Sequence, residues 1–353
     1  MFGGLVLNID QMEPLVSILI PAYNAESWIS DTVTSAIHQT WSRKEIIVVD
    51  DGSTDQTLAV AKRFESSNVK VVGQSNSGAS AARNKALSLS QGDYIQWLDA
   101  DDLLECNKIA KQMEVAKHGT KRTLLSSAWG RFMYRPRKAK FLPTPLWCDL
   151  GPIEWVLRHL EESVFISSMA WLVSRDLVEV AGPWNTQLSN NDDGEYACRT
   201  VLASDGVRFV PEAKSYYRTL IGSSLSNNRS PRKLESMCHC MELIIGYLWN
   251  REQSPRTSAA CLKYLRDGLI FFYPERPDLV RRAKTLAATL GGELPAPKLP
   301  IRYDWIDRLF GLSTAKRVQA NYNSVKWSLI RGWDQALACL EKESLPDQIC
   351  RKP

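Results

Sequence analysis

Five aspartates stand at the ends of two β-branched runs: Asp50 and Asp51 after Glu45–Val49 (EIIVV), and Asp99, Asp101 and Asp102 at the end of Tyr94–Leu98 (YIQWL). Carboxylates crowded at one sheet edge repel one another unless a cation or hydrogen-bond donors offset the charge. That favours a hard divalent ion, Mn2+ or Mg2+, which takes carboxylate and phosphate oxygens together and neutralises a phosphate leaving group. The usual phosphate cradles are missing: no Gly-x-Gly-x-x-Gly follows the first strand, and no Gly-x-x-x-x-Gly-Lys-Ser/Thr occurs anywhere. Acidic loops can then hold a pyrophosphate through the ion. The plainer reading of any one Asp-Asp pair is a turn or helix cap.

The elements that would carry these residues follow one another as βαβ units on a parallel sheet. Val16–Ile20 (VSILI) is the first strand. Ile29, Val33, Ile37 and Trp41 recur every four residues behind Asn24, which predicts a helix capped by Asn24. Glu45–Val49 and Val69–Val72 are further strands, residues 78–90 a helix, and Tyr94–Leu98 a fourth strand. Later segments read as a loop over the basic stretch 131–145, a strand at 170–174, a helix at 193–204 and a strand at 207–210. From about residue 231 the pattern is helical, broken by the linker-like GGELPAPKLP at 291–300. In an open parallel sheet, ligands bind beyond the carboxyl ends of the strands, where helix N-termini converge.

Composition narrows the class. The chain has 353 residues, 44% hydrophobic and 24% charged, which excludes disorder and a coiled coil. The net charge of +5 is too mild for a dedicated nucleic-acid binder. It is uneven: residues 231–353 carry 20 basic and 13 acidic side chains against 24 and 26 before them. No apolar run is long enough to cross a bilayer, and the N-terminal stretch has no basic lead, so the expectation is a cytoplasmic protein. Eight scattered cysteines read as free thiols.

Four segments in order, VSILIPAYN (16–24), EIIVVDDGSTDQT (45–57), SGASAARNKAL (77–87) and GDYIQWLDADD (92–102), resemble the family 2 inverting glycosyltransferases. That resemblance implies a GT-A fold, an α/β Rossmann-like, mostly parallel but mixed sheet flanked by helices. It implies a transferase domain over 1–230, with a nucleotide-sugar half at about 14–105 and an acceptor half at about 106–230, and a helical C-terminal region over 231–353. By the same resemblance Asp51 reads the nucleobase of a UDP-linked donor, Pro21, Ala22, Tyr23 and Asn24 shape its pocket, Arg83 lies nearby, Asp99 meets the ribose and Asp101 the metal. Asp50 and Asp102 are supports.

WNTQLSNNDDGEYACR (184–199) resembles the family's acceptor-side segment, making Asp193 the general base and Asp192 its support; the plainer role of Asp193 is an N-cap. A carboxylate at a helix N-terminus stays ionised and can accept a hydroxyl proton. FVPEAKSYYRTLIGSSLS (209–226) resembles the closing segment, with Tyr217, Arg218 and a Ser-rich loop near the donor phosphates. Leu220 stands where many members carry His, which leaves a third protein ligand to the metal open.

The partners implied are a nucleotide-sugar donor and a glycan, lipid-linked or protein acceptor, and polysaccharide biosynthesis is the setting. Two other classes are open: a nucleotide-sugar-binding module without turnover, and a metal-dependent nucleotidyltransferase. In the tail, Trp305, Ile306, Leu309 and Phe310, then Val325, Leu329, Trp333, Leu337 and Leu340, lie at helical spacing beside basic residues. Such a stripe serves a core, a homo-oligomer contact or a peripheral membrane surface. Cys238-His239-Cys240 has no second ligand pair at zinc spacing and is assigned no metal.

Overall fold

Every position of the first strand, β1 (Val16–Ala22), is buried, as a central strand covered on both faces requires. The computed structural model describes residues 13–219, 230–341 and 345–350. After β1 come α1 (Ile29–Ile37), β2 (Lys44–Asp50), α2 (Thr57–Lys62), β3 (Val69–Gly73), α3 (Ala79–Leu89) and β4 (Tyr94–Trp97). Next come β5 (Leu103–Leu104), α4 (Lys108–Ala116), β6 (Thr123–Phe132), β7 (Lys140–Phe141), α5 (Pro152–Glu162), β8 (Val173–Ser174), α6 (Arg175–Ala181), α7 (Asp192–Ala203) and β9 (Gly206–Arg218). The first sheet has the order β3-β2-β1-β4-β8, parallel except for β8; a second sheet runs β5-β9-β6-β7. This is the mixed, mostly parallel α/β architecture that the sequence implied.

Alternation splits the sheet's side chains between two cores. Val16, Ile18, Ile20, Ile46 and Val48 pack under α1, while Leu19, Ile47, Val49, Ile95 and Trp97 face α5 and α7. The second core continues into α8 (Pro231–Trp249), α9 (Pro255–Phe272) and α10 (Pro277–Thr289), through Ile244, Leu265 and Ala283. These three helices therefore share hydrophobic contacts with the sheet. Beyond them, α11 (Asp304–Phe310) and the 29-residue α12 (Leu312–Leu340) bury little: Leu312 and Ala315 are the buried residues of α12, and Tyr322, Val325, Leu329, Trp333 and Leu340 are exposed. Among the described residues no helix is long and apolar enough to cross a membrane.

Several local expectations change. Asn24 does not cap α1, which starts at Ile29 with Trp28 at its N-cap; Asn24 has φ 48° and turns its side chain to the neighbouring loop. The strand expected at 170–174 is only β8, because residues 168–170 form a 3-10 turn. The basic stretch is not all loop: Arg131 and Phe132 end β6, and β7 pairs back on Gly130 and Arg131. The strand expected at 207–210 runs to Arg218, past a register shift opposite Ser127 and Ala128. The free-thiol expectation fails for two cysteines. Cys106 and Cys350 form a disulfide across 244 residues, because α13 (Leu345–Ile349) brings the chain end back beside β5. A pairing made by tertiary return leaves no trace in spacing.

Candidate active site

The first two loops at the sheet edge are tied to each other. Asn24 accepts from the Thr54 amide (2.8 Å) with Oδ1, and its own amide donates to Ser53 Oγ (3.0 Å). Asp50 accepts from the Ser53 amide (3.1 Å), while its other oxygen is enclosed without a partner. Asp51 is saturated: it accepts from Gln74 Nε2 (2.7 Å), the Ser77 amide (2.9 Å) and the Gly78 amide (2.8 Å). Gly78 sits at φ 93°, which a residue with a Cβ adopts only under strain, and so delivers that amide at the start of α3. Pro21 and Ala22 are buried beneath the loop and Tyr23 is exposed at its mouth.

Arg83, on α3, joins the two halves. Its side chain is 6% exposed, with Nη2 on Asp99 (2.8 Å) and Nη1 on Asp192 (2.9 Å); Asp193 lies 3.5 Å from Nη2. Burial works against the charge, and Asp99, Asp193 and Asp192 outweigh it, so the guanidinium is held firmly protonated. Ser80, one turn earlier on α3, also donates to Asp192 (3.0 Å). Trp184 covers the guanidinium at 4.3 Å and stacks on Tyr196 at 4.0 Å, with Trp97 edge-on to both. Asn84 fixes Trp184 by bonding both its amide and its carbonyl.

Asp193 has one oxygen enclosed with no hydrogen-bond partner, yet its side chain is 32% exposed, so the exposure falls on the rest of the group. Burial, against the pull of Arg83 and with the push of Asp192 and Asp99, raises its pKa to about 8. It therefore holds a proton at neutral pH in this ligand-free state, contrary to the simple expectation of a carboxylate kept ionised by a helix N-terminus. The local field of two neighbouring acids and a poorly solvated oxygen exceeds what the helix supplies.

Arg218 is the second hub, and it is enclosed. Its side chain lies between Trp28 (4.3 Å) and Phe132 (4.6 Å), donating to the Asp101 carbonyl (2.7 Å), the Met133 carbonyl (3.1 Å) and Asp31 (3.3 Å). Its backbone amide holds Asp102 (2.8 Å), whose second oxygen has no partner and whose pKa burial, Asp101 and Asp99 push well up. Arg218 thus supports the loop rather than offering its guanidinium to a ligand. Among the described residues the carboxylate of Asp101 makes no hydrogen bond or ion pair with another residue; burial and Asp99, against the pull of Arg218 and its own backbone amide, raise its pKa to about 6. The acidic edge is held mostly by arginine and backbone amides, and no group of three or more metal-ligating side chains forms among the described residues. Leu220 and the Ser-rich loop lie outside the described residues.

The segment before α7 is gripped from the C-terminal helices. Asn191, at φ 59°, is the N-cap position; its side chain donates to Cys240 Sγ (3.1 Å) and Tyr264 Oη (3.3 Å), and Cys240 returns a bond to the Asn191 carbonyl (3.2 Å). Ser236 Oγ accepts from the amides of Ser189 (2.8 Å) and Asn190 (3.1 Å). Sequence reasoning missed Ser80, Asn84, Tyr196, Ser236, Cys240 and Tyr264. Trp184 opened a quoted segment but carried no role.

The arrangement thus puts an edge of acidic loops and an acidic helix start under one arginine. The sequence profile of glycosyl transferase family 2 matches residues 17–178. Those residues are a glycosyl transferase family 2 domain. Bacillus subtilis TuaG, named for teichuronic acid biosynthesis, is 44% identical over 105 residues, which cover 29% of this chain and 42% of that protein. Escherichia coli WfgD, named as a UDP-Glc:α-D-GlcNAc-diphosphoundecaprenol β-1,3-glucosyltransferase, is 39% identical over 102 residues, 29% of this chain and 40% of WfgD. The matched segment spans about two fifths of these relatives' length. The family 2 domain and its extension share their GT-A fold with Staphylococcus aureus TarS 1–349 bound to UDP-GlcNAc (TM-score 0.62, 19% identity, 78% of this chain and 81% of TarS 1–349). A second structural neighbour is a Pyrobaculum calidifontis mannosyltransferase with GDP-Man and Mn2+ (TM-score 0.52, 17% identity, 94% of this chain and 87% of the other).

Proposed function

We propose that this chain is an inverting glycosyltransferase that moves a sugar from a UDP-linked donor to an acceptor hydroxyl, with Asp193 as the general base and a divalent ion on Asp101. One observation carries the reading. Arg83 draws Asp99, at the end of β4, together with Asp192 and Asp193, at the start of α7, so the donor edge and the candidate base meet within the reach of a single guanidinium. The family 2 match and the UDP-GlcNAc held by TarS support the donor class.

The residues present fit the ion. Mg2+ and Mn2+ are commonly held by one or two carboxylates together with substrate phosphates and water, and Asp101 offers an unpaired, half-buried carboxylate beside Asp99. An ion bound there would offset charge on the diphosphate.

The chain's own residues do the rest. Asp99 and the loop of Asp50 and Asp51 orient the nucleoside, with Pro21, Ala22, Tyr23 and Asn24 as the pocket's wall. The acceptor oxygen attacks the anomeric carbon as its proton passes to the Asp193 carboxylate, while the carbon–oxygen bond to the diphosphate breaks and the electron pair leaves with UDP. A single displacement inverts the configuration and needs one base. Because Asp193 is protonated near neutrality in the free enzyme, kcat/KM for transfer should climb with pH toward about 8.

The deciding experiment is Asp193→Asn. UDP affinity should stay within about twofold while transfer falls by roughly 10²- to 10⁴-fold, the usual worth of a general base. An unchanged transfer rate removes Asp193 from the chemistry. Release of pyrophosphate instead of UDP would make the enzyme a nucleotidyltransferase.

A further inference from the structure

We propose that Trp129, Arg131 and Phe165 form an acceptor platform for a sugar that carries an anionic group next to the hydroxyl-bearing residue; this rests on the transferase reading above and assigns its acceptor class. Trp129 and Arg131 are two apart on β6 and so point to the same side, and Arg131 is the register partner of Tyr217 on β9. Phe165, from the segment after α5, lies against both strands, 5.5 Å from the Trp129 ring and 4.9 Å from Tyr217.

The strip begins at the catalytic acids. Tyr217 is half-buried next to Arg218, whose backbone amide holds Asp102 (2.8 Å), and burial with the field of Asp102, Asp101, Asp99 and Asp193 pushes its phenol pKa far up. A sugar presented to Asp193 would therefore extend along Tyr217 onto Phe165 and Trp129. Phe165 is 40% exposed and Trp129 half-buried, so both rings are open to a ligand. The space beneath them is about 20 Å3, enough for a group the size of water, so a ligand would lie on the rings rather than enter. A pyranose suits such a platform, because its axial C–H bonds make one face apolar.

The charge narrows the class. Arg131 lies over Trp129 (5.3 Å) and Phe165 (5.6 Å), is exposed, and has no carboxylate partner among the described residues. The other arginines around the site are neutralised: Arg83 by Asp99 and Asp192, Arg218 by Asp31, and Arg135 by Asp334 and Glu341. A guanidinium held over two rings, with no described carboxylate beside it, keeps its donors for a carboxylate or phosphate. The anion could be a uronate within a glycan or the diphosphate of a carrier-linked sugar.

The test titrates the full chain, with UDP present, with a glucuronate-containing disaccharide, its neutral counterpart of the same linkage, and N-acetylglucosamine 1-diphosphate, read by tryptophan fluorescence. At least one charged probe should bind on the order of tenfold tighter than the neutral one. Arg131→Gln should erase that preference, and Phe165→Leu should weaken all probes, with UDP affinity unchanged in both. Which charged probe gains identifies the source of the anion. Equal binding of charged and neutral probes, a preference that survives Arg131→Gln, or no probe binding while UDP still binds overturns the proposal. If wild type binds no UDP yet keeps an Arg131-dependent preference, the platform stands and the transferase reading falls.

Discussion

The proposed donor edge and the proposed base segment are built in opposite ways. At the donor edge the holding bonds are local: Asp51 is fixed by residues 23 to 27 positions on, and Asn24 by the loop of the adjacent strand. At the base segment, Asn191 is held from Cys240 and Tyr264, and Ser189 and Asn190 from Ser236, all on helices that belong to the tail. The donor edge can form from one run of βαβ units. Asp193, the proposed base, is in place only when α8 and α9 have packed. Among the described residues, Arg83 is the side chain on which both constructions close.

That contrast can be broken most forcefully at Arg83. Arg83→Met leaves Asp99, Asp192 and Asp193 without their buried counter-charge and should cost about 3–5 kcal/mol in urea unfolding. It should also abolish transfer; a loss below about 1 kcal/mol would mean that the two halves are held together elsewhere. Asp101→Asn comes next. Uridine diphosphate should raise the melting temperature of wild type more with Mn2+ than without, and the variant should lose that increment while keeping the metal-independent part. A metal effect that survives would move the ion to another residue.

The difference can be sharpened with pH. Asp193 has a folded-state pKa of about 8 against an ordinary value of 3.8, so between those values the folded chain binds more protons than the unfolded one. Stability from this group is thus lost as pH rises through that window. The melting temperature of Asp193→Asn relative to wild type should accordingly increase from pH 5 to pH 8 and level off above; a flat difference would show that the carboxyl is ionised throughout. The smallest effect belongs to Tyr264→Phe, which removes one hydrogen bond to Asn191 at a cost of about 1 kcal/mol. Transfer should fall several-fold with UDP affinity unchanged. If UDP affinity falls equally, the tail supports the whole domain and not the base segment alone.

What the sequence made legible follows the same division. The parallel strands, α3 and the acidic loops were readable because alternation, glycine punctuation and β-branched runs act over a few residues. Asn24 was misread as a cap because its partner, Thr54, lies one loop away in space and 30 residues away in sequence. Arg83 was identified only through a motif; nothing in its neighbourhood announced that it would meet acids more than 100 positions on. Cys240 looked like a stranded metal ligand and instead holds a turn. Asp193 was placed correctly at a helix start, but its protonation depends on which carboxyls crowd it, a tertiary property.

The long helix α12 adds a last consequence. At one end it is seated by apolar contacts, Leu312 and Ala315 with Tyr303 and Ile306. At the other it meets, through Arg135–Asp334 and Arg137–Glu341, the loop that sets Tyr134 against Trp28. Its two moorings therefore answer to different conditions: rising ionic strength should slacken the charged one, and cooling the oily one.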